Sequence, residues 1–120
     1  MRHRRSARGA VTAELALAMP LLVGVTVGLA WLLSVGVAQV RVVDAARETA
    51  RAASRGDDPG AAVAAGERVV PPGGSVTVVA AGDTVTATAT APVAGPGGLF
   101  DALPAVTVRA EAVALVEVPP

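Results

Sequence analysis

Residues 15–40, LALAMPLLVGVTVGLAWLLSVGVAQV, form a run of 26 residues without a formal charge. The 24 residues from Leu15 to Ala38 would extend about 36 Å as an α-helix, enough to cross a bilayer core of about 30 Å. A secretory signal peptide has a shorter apolar core, and a buried helix of a soluble domain would need a larger remainder to cover it. We therefore predict one transmembrane helix over residues 10–40.

A basic leader precedes this run. It contains four arginines and no acid: Arg2, Arg4, Arg5 and Arg8. Positive residues flanking an apolar span stay on the cytoplasmic side, and here they favour anionic lipid over nucleic acid as the polyanionic partner. We predict that residues 1–9 are a cytoplasmic leader of a single-pass protein in the cytoplasmic membrane, with the C-terminus outside.

The composition argues against catalysis. The chain has 120 residues, no cysteine and one histidine, His3, so it lacks the partners needed for a thiolate, zinc or general-base site. Its aromatic residues are Trp31 and Phe100, too few for a base-stacking platform. We predict no enzyme activity, no cofactor or metal, no small-molecule substrate and no nucleic-acid partner.

After the span, residues 41–56 predict a continuation of the helix outside the membrane. Charged residues mark a solvated face (Arg41, Asp44, Arg47, Glu48, Arg51 and Arg55), with Asp44/Arg47 and Glu48/Arg51 at i,i+3 spacing. An apolar stripe is formed by Val43, Ala46, Ala50 and Ala53. Gly56 offers a C-terminal stop, so the helix is predicted over about residues 11–55.

The rest of the chain predicts a linker and a small sheet. Residues 57–74 are a linker in which Ala61–Val69 is either a short helix or a loop. Period-two alternation then predicts strands at Ser75–Ala80 and Thr84–Ala91, joined by a turn at residues 81–83. A Gly/Pro-rich loop at residues 92–104 leads to a third strand within Ala105–Val118, whose Val106, Val108, Ala110 and Ala112 share one face.

The predicted fold class is α+β. The long N-terminal helix would continue into a small domain at residues 75–120, whose three-stranded antiparallel sheet packs on the C-terminal half of the helix. Because Val, Ala and Thr bury little area, this sheet should depend on the Ala-rich half of the helix for its core.

Four positions in the helix are candidate functional residues. Glu14 is a single carboxylate at the start of the apolar run; it can complement the helix dipole, but Val11 stands where a capping box needs Ser or Thr. Pro20 predicts a kink. Gly24 and Gly28 form a G-x-x-x-G pair that predicts close helix packing, although this spacing also arises by chance in a glycine-rich chain.

The sequence Arg8-Gly9 followed by Ala10-Val11-Thr12-Ala13-Glu14 resembles the class III signal of type IV pilins. Residues 9–22, GAVTAELALAMPLL, are similar to the TadE-like family of pilus proteins, and the resemblance extends through residues 42–56, the Pro71-Pro72-Gly73 turn and the terminal strand. It implies cleavage by prepilin peptidase between Gly9 and Ala10, which places Glu14 fifth in the mature chain. Many pilins have an aromatic residue where this chain has Ala10 or Leu15.

This resemblance implies a non-enzymatic minor pilin or pseudopilin of a Tad/Flp-type pilus or a related secretion system. Its implied partners are prepilin peptidase, other pilins and the membrane platform proteins of the machine, and Glu14 would pair with the new amine of a neighbouring subunit. The alternative is an unprocessed single-pass membrane protein with a small extracytoplasmic binding domain.

Overall fold

A computed structural model of the chain describes residues 2–95 and 105–117. Its elements are α1 (Arg2–Ser54), α2 (Pro59–Glu67), β1 (Ser75–Ala81), β2 (Thr84–Val93) and β3 (Val106–Leu115). A long helix followed by a three-stranded antiparallel sheet confirms the predicted α+β class. Most of the predicted Gly/Pro-rich loop, residues 96–104, and Val118 of the third strand lie outside the described residues.

The chain divides into two compact units, Met1–Leu32 and Leu33–Pro120. We call the second the sheet unit. It contains the last part of α1, together with α2 and all three strands.

The N-terminal boundary of α1 differs from the prediction. The helix was expected to begin near residue 11, but it begins at Arg2 and includes the leader. Arginine and alanine are strong helix formers, and a single glycine such as Gly9 costs only about 1 kcal/mol, which is not enough to stop a helix. Pro20 lies inside α1, and the helix continues beyond it; a kink at this residue stays a prediction.

The C-terminal end of α1 confirms the predicted stop at Gly56. This residue has φ +87°, a left-handed conformation that glycine adopts without a Cβ penalty. The Gly56 amide donates to the Ala53 carbonyl at 3.1 Å, and the Asp57 amide donates to the Ala52 carbonyl at 3.2 Å. These two bonds form a Schellman motif, which satisfies carbonyls that the helix leaves open at its end.

We expect Gly56→Ala to lower the free energy of unfolding of the sheet unit by about 1–2 kcal/mol, because alanine is strained at positive φ. Gly56→Asn should cost less, since asparagine tolerates this conformation. Amide hydrogen exchange of the central strand β2, followed in mild detergent over a urea series, measures the change. An alanine variant as stable as the parent would contradict the role of the Schellman motif.

The segment between α1 and β1 contains a short helix, which settles the alternative left open by its sequence. The Asp58 carboxylate caps α2 by accepting from the Gly60 amide at 3.0 Å, and Pro59 occupies the first turn, where its missing amide is tolerated. Near the other end, Gly66 is buried against α1. Residues 57–74 are thus a packed connection between α1 and the sheet.

The strands pair in the order β1-β2-β3. Ala81 pairs with Thr84, so the hairpin loop is only the two residues Gly82 and Asp83, one fewer than predicted. Gly82 has φ +63° and no described non-glycine residue has a positive φ, as expected for a glycine-first type II′ turn. In β3 the even-numbered residues face inward, which confirms the predicted face.

The core of the sheet unit lies between α1 and one face of the sheet, as predicted. Among the described residues, one connected cluster of buried apolar side chains comprises Ala38, Val42, Ala45, Ala46, Val76, Ala89, Ala91, Val93 and Val108. The predicted helix stripe is displaced by one position: Ala46 and Ala50 are buried, but Val43 and Ala53 are only half-buried. The buried centre includes Thr49, which an apolar count overlooks because the residue is polar.

Within the sheet unit, two hydrogen bonds join α1 to β3 and to the residues that follow it. At one end the Gln39 Nε2 donates to the Arg109 carbonyl at 3.1 Å, and at the other the Glu117 amide donates to the Ser54 carbonyl at 2.8 Å. Helix and strand therefore run in the same direction. We call the Gln39–Arg109 side the near end and the Ser54–Glu117 side the far end.

Candidate functional site

The signal segment, residues 8–14, lies entirely within α1 and is exposed along its length. No heavy atom lies within 4 Å of the position that a Cβ would occupy on Gly9. The Thr12 hydroxyl donates to the Arg8 carbonyl at 2.9 Å, which adds a bond to the helix next to the predicted cleavage point. The Gly9–Ala10 peptide bond is therefore exposed and lies within a hydrogen-bonded turn of the helix.

Glu14 is exposed on the same helix. It lies four residues after Ala10, and residues at this spacing are neighbours on one face of a helix. Cleavage before Ala10 would create an α-amino group that is positive at neutral pH. The geometry therefore presents a carboxylate and a potential amine at the same end of the helix, one turn apart, and both are open to a neighbouring chain.

The helix that follows Glu14 is long and apolar enough to cross a membrane. Its most apolar window has a mean hydropathy of 2.2 and is 6% buried. Its large exposed side chains include Leu17 at 79% and Leu21 at 70%, as expected for a helix that is apolar all round. The Thr26 hydroxyl donates to the Leu22 carbonyl at 2.9 Å, so its polar group is satisfied by the helix itself.

Gly24 and Gly28 lie on this helix with nothing within 4 Å of their Cβ positions. Their surface is open, as a close-packing helix pair would require. Pairing needs a second helix, so close packing through this glycine pair stays a prediction.

The charged face of α1 is solvated, as the sequence indicates. Asp44, Arg47 and Arg51 are exposed and Glu48 is half-buried, and together with Val69 they line a shallow groove. Within residues 2–95 and 105–117 the ion pairs are instead Arg55–Asp57 at 3.4 Å and Arg109–Glu111 at 3.8 Å. In the same part of the chain no three acidic or histidine side chains lie close enough together to hold a metal ion.

Sequence reasoning missed two structural contacts. Gly66 packs on Thr49 and Ala45, and Gln39 fixes the level of Arg109 on the neighbouring strand. The amphipathic spacing of α1 could have indicated that Thr49 faces inward. The contacts of Gly66 with α1 and of Gln39 with Arg109 join residues that are distant in the chain, so the periodicity of the sequence does not reveal them.

Together these features define an α+β protein whose apolar N-terminal helix is compatible with a membrane anchor. A family model described as TadE-like protein matches residues 9–51 and confirms the TadE-like resemblance of the sequence. The match covers 43 of the 120 residues and indicates that this part of the chain is similar to proteins associated with a Tad pilus. No match was found among curated proteins or among solved structures.

Proposed function

We propose that this chain is a minor pilin or pseudopilin of a Tad/Flp-type pilus or related secretion system, cleaved by prepilin peptidase between Gly9 and Ala10. The observation that carries the proposal is the exposed Gly9–Ala10 bond one turn before Glu14, at the mouth of an apolar helix inside the TadE-matched range. The arginine leader supports insertion with the N-terminus inside and the C-terminus outside.

Assembly would proceed through the N-terminal helix. After cleavage the helix carries an amine at Ala10 and a carboxylate at Glu14. An uncompensated charge is costly among apolar helices, so the amine of one subunit and the Glu14 carboxylate of its neighbour stabilise each other and fix the register between the two chains. The partners on this account are prepilin peptidase, other pilins and the membrane platform proteins, and the chain itself catalyses no reaction.

Cleavage is tested by expressing the full chain with prepilin peptidase and determining the N-terminus of the membrane-extracted protein. We expect a mature chain that starts at Ala10. Gly9→Val should block cleavage, because a branched side chain replaces open space beside the scissile bond, while Gly36→Val, also at a helical glycine with nothing within 4 Å, should be processed normally. An intact leader in the parent would refute processing.

One observation favours a second candidate function, that of an unprocessed single-pass protein whose outer domain binds a partner. On the sheet face opposite the core, Val79 and Val113 flank Thr86 in one cross-strand row, and Leu115 lies in the next. Val79, Val113 and Leu115 are 62%, 63% and 68% exposed. Exposed apolar patches commonly mark interaction sites. The same N-terminal determination separates the two candidates.

A further inference from the structure

The near end of the sheet unit combines two different environments on one helix. Val35 and Ala38 pack into the core with the sheet. On the opposite face Leu33, Val37 and Val40 are 71%, 49% and 60% exposed. An apolar surface therefore continues up to Val40 on one face, beside a sheet that already covers the other. The folded unit thus begins on residues that still have a lipid-compatible outer face.

Two arginines lie next to the end of this apolar surface. Arg41 follows Val40 on α1, and the Gln39 bond places Arg109 at the same level on β3. Both arginines are exposed. Asp44 and Glu111 lie farther along the same two elements, so Arg41 and Arg109 are the first charges met on α1 and β3 from the near end. The Arg109 guanidinium also lies 3.8 Å from the Glu111 carboxylate, in an exposed pair that leaves it open to a phosphate. Asp101 is outside the described residues.

The far end has the opposite charge. The hydrogen bonds Glu117–Ser54 and Val116–Asp83 place Glu117 and Asp83 there, and Asp57 and Asp58 follow the end of α1. Arg55 is the cation beside them. The sheet unit is therefore polarised, with cations next to its apolar face and acids at the far end.

We propose that the near end docks on the headgroup layer of the bilayer that α1 crosses, with Arg41 and Arg109 binding lipid phosphates. A guanidinium presents several donors to a phosphate group and is held less tightly by water than an ammonium. Anionic lipid attracts cations next to a span and repels the acidic far end. Docking requires only that α1 spans a bilayer, and it does not depend on cleavage at Gly9.

The natural absence of cysteine allows a direct test on the full chain. A fluorophore is attached to a single cysteine introduced as Thr107→Cys, at the near end, or as Ala81→Cys, at the far end. Both positions are exposed. The protein is reconstituted in phosphatidylcholine vesicles containing phosphatidylglycerol and a headgroup-labelled quenching lipid. We expect strong quenching at position 107 and weak quenching at position 81. Equal quenching at both positions would overturn the proposal.

Arg41→Gln combined with Arg109→Gln should lower the ratio of docked to undocked protein roughly twenty-five-fold, from about a five-fold loss for each arginine. Quenching at position 107 should then fall toward the value at position 81. The double lysine variant should retain most of the quenching, because it keeps both charges. The matched control Arg47→Gln with Arg55→Gln removes two exposed charges farther along α1 and should change little.

Unchanged quenching in the double glutamine variant would refute docking through these arginines, as would an equal loss in the control. Replacing phosphatidylglycerol with phosphatidylcholine should weaken the quenching, and no change would refute the role of charge. Amide exchange of β2 checks that each variant is folded. Because the leader is present or absent equally in all samples, these outcomes are independent of processing at Gly9.

Discussion

Gly66→Ala is expected to destabilise the sheet unit by about 2–3 kcal/mol, at the upper end of what an extra methyl group costs in a packed core. A Cβ at this position would overlap the Thr49 hydroxyl and lie 3.0 Å from the Ala45 carbonyl oxygen and 3.2 Å from a Val76 methyl group. A backbone carbonyl in the middle of a helix cannot move aside. The added atom must therefore push α2 away from α1 and open the core.

The Thr49 side chain makes this contact unusually tight. Thr49 is fully buried, and its hydroxyl has no hydrogen-bond partner within the described residues. Removing it with Thr49→Ala should create space for the new methyl group. The double variant Thr49→Ala with Gly66→Ala should therefore lose less stability than the sum of the two single variants, which is the signature of direct contact in a double-mutant cycle.

Urea unfolding in mild detergent, followed by amide exchange of β2, measures all three variants. Gly36→Ala is the matched control: Gly36 is helical and exposed, and nothing lies within 4 Å of its Cβ position. This control should be neutral or stabilising by up to about 1 kcal/mol, because alanine is the better helix former. A Gly66→Ala variant that is as stable as the control would refute the close packing of α2 on α1.

Local chemistry explains why much of the fold was predictable. The end of α1 at Ser54 follows from Gly56, whose freedom at positive φ is a property of one residue. The strands follow from alternation, because successive side chains point to opposite faces. Small inward residues such as Ala87 and Ala89 are fully buried, whereas the threonines between them are half-buried on the outer face. Such features depend on neighbours in the sequence.

Contacts between distant segments were not predictable in the same way. Whether residues 61–69 form a helix depends on what they pack against, and Gly66 supplies that answer only once α1 is in place. The predicted beginning of α1 was also wrong. The polar leader shows no apolar periodicity and was not expected to be helical, but its arginines and alanines are strong helix formers, and the helix begins at Arg2. The common direction of α1 and β3 is fixed by hydrogen bonds of Gln39 and Ser54, whose partners are about seventy and sixty residues away.

The candidate site was visible in the sequence as a motif. The structure adds that its residues are exposed and lie on one helix. Gly9 and Glu14 are open on one continuous helix, so neither is held by a contact within the described chain. A single chain cannot contain an intersubunit contact. The pairing of Glu14 therefore has to be tested on assembled protein.

Glu14→Ala is expected to reduce assembly by about two to three and a half orders of magnitude, because a charge left unpaired among apolar helices costs about 3–5 kcal/mol. Glu14→Gln should be equally defective, since it preserves shape but removes the charge, and Glu14→Asp should retain part of the activity. Assembly is measured as disulfide-linked oligomers through a single cysteine at Ala18, both in membranes and in filaments sheared from cells that contain the pilus machine.

Two comparisons separate pairing from other effects of the substitution. Glu67→Ala removes an exposed acid of the sheet unit and should assemble as the parent does, which excludes net charge as the cause. Cleavage at Gly9 is determined in the same samples: a Glu14 variant that is cleaved normally but fails to form oligomers has lost a contact that exists only after processing. If Glu14→Gln is cleaved and assembles as efficiently as the parent, the carboxylate is not the partner of the new amine, and register between subunits must come from the apolar surface of the helix instead.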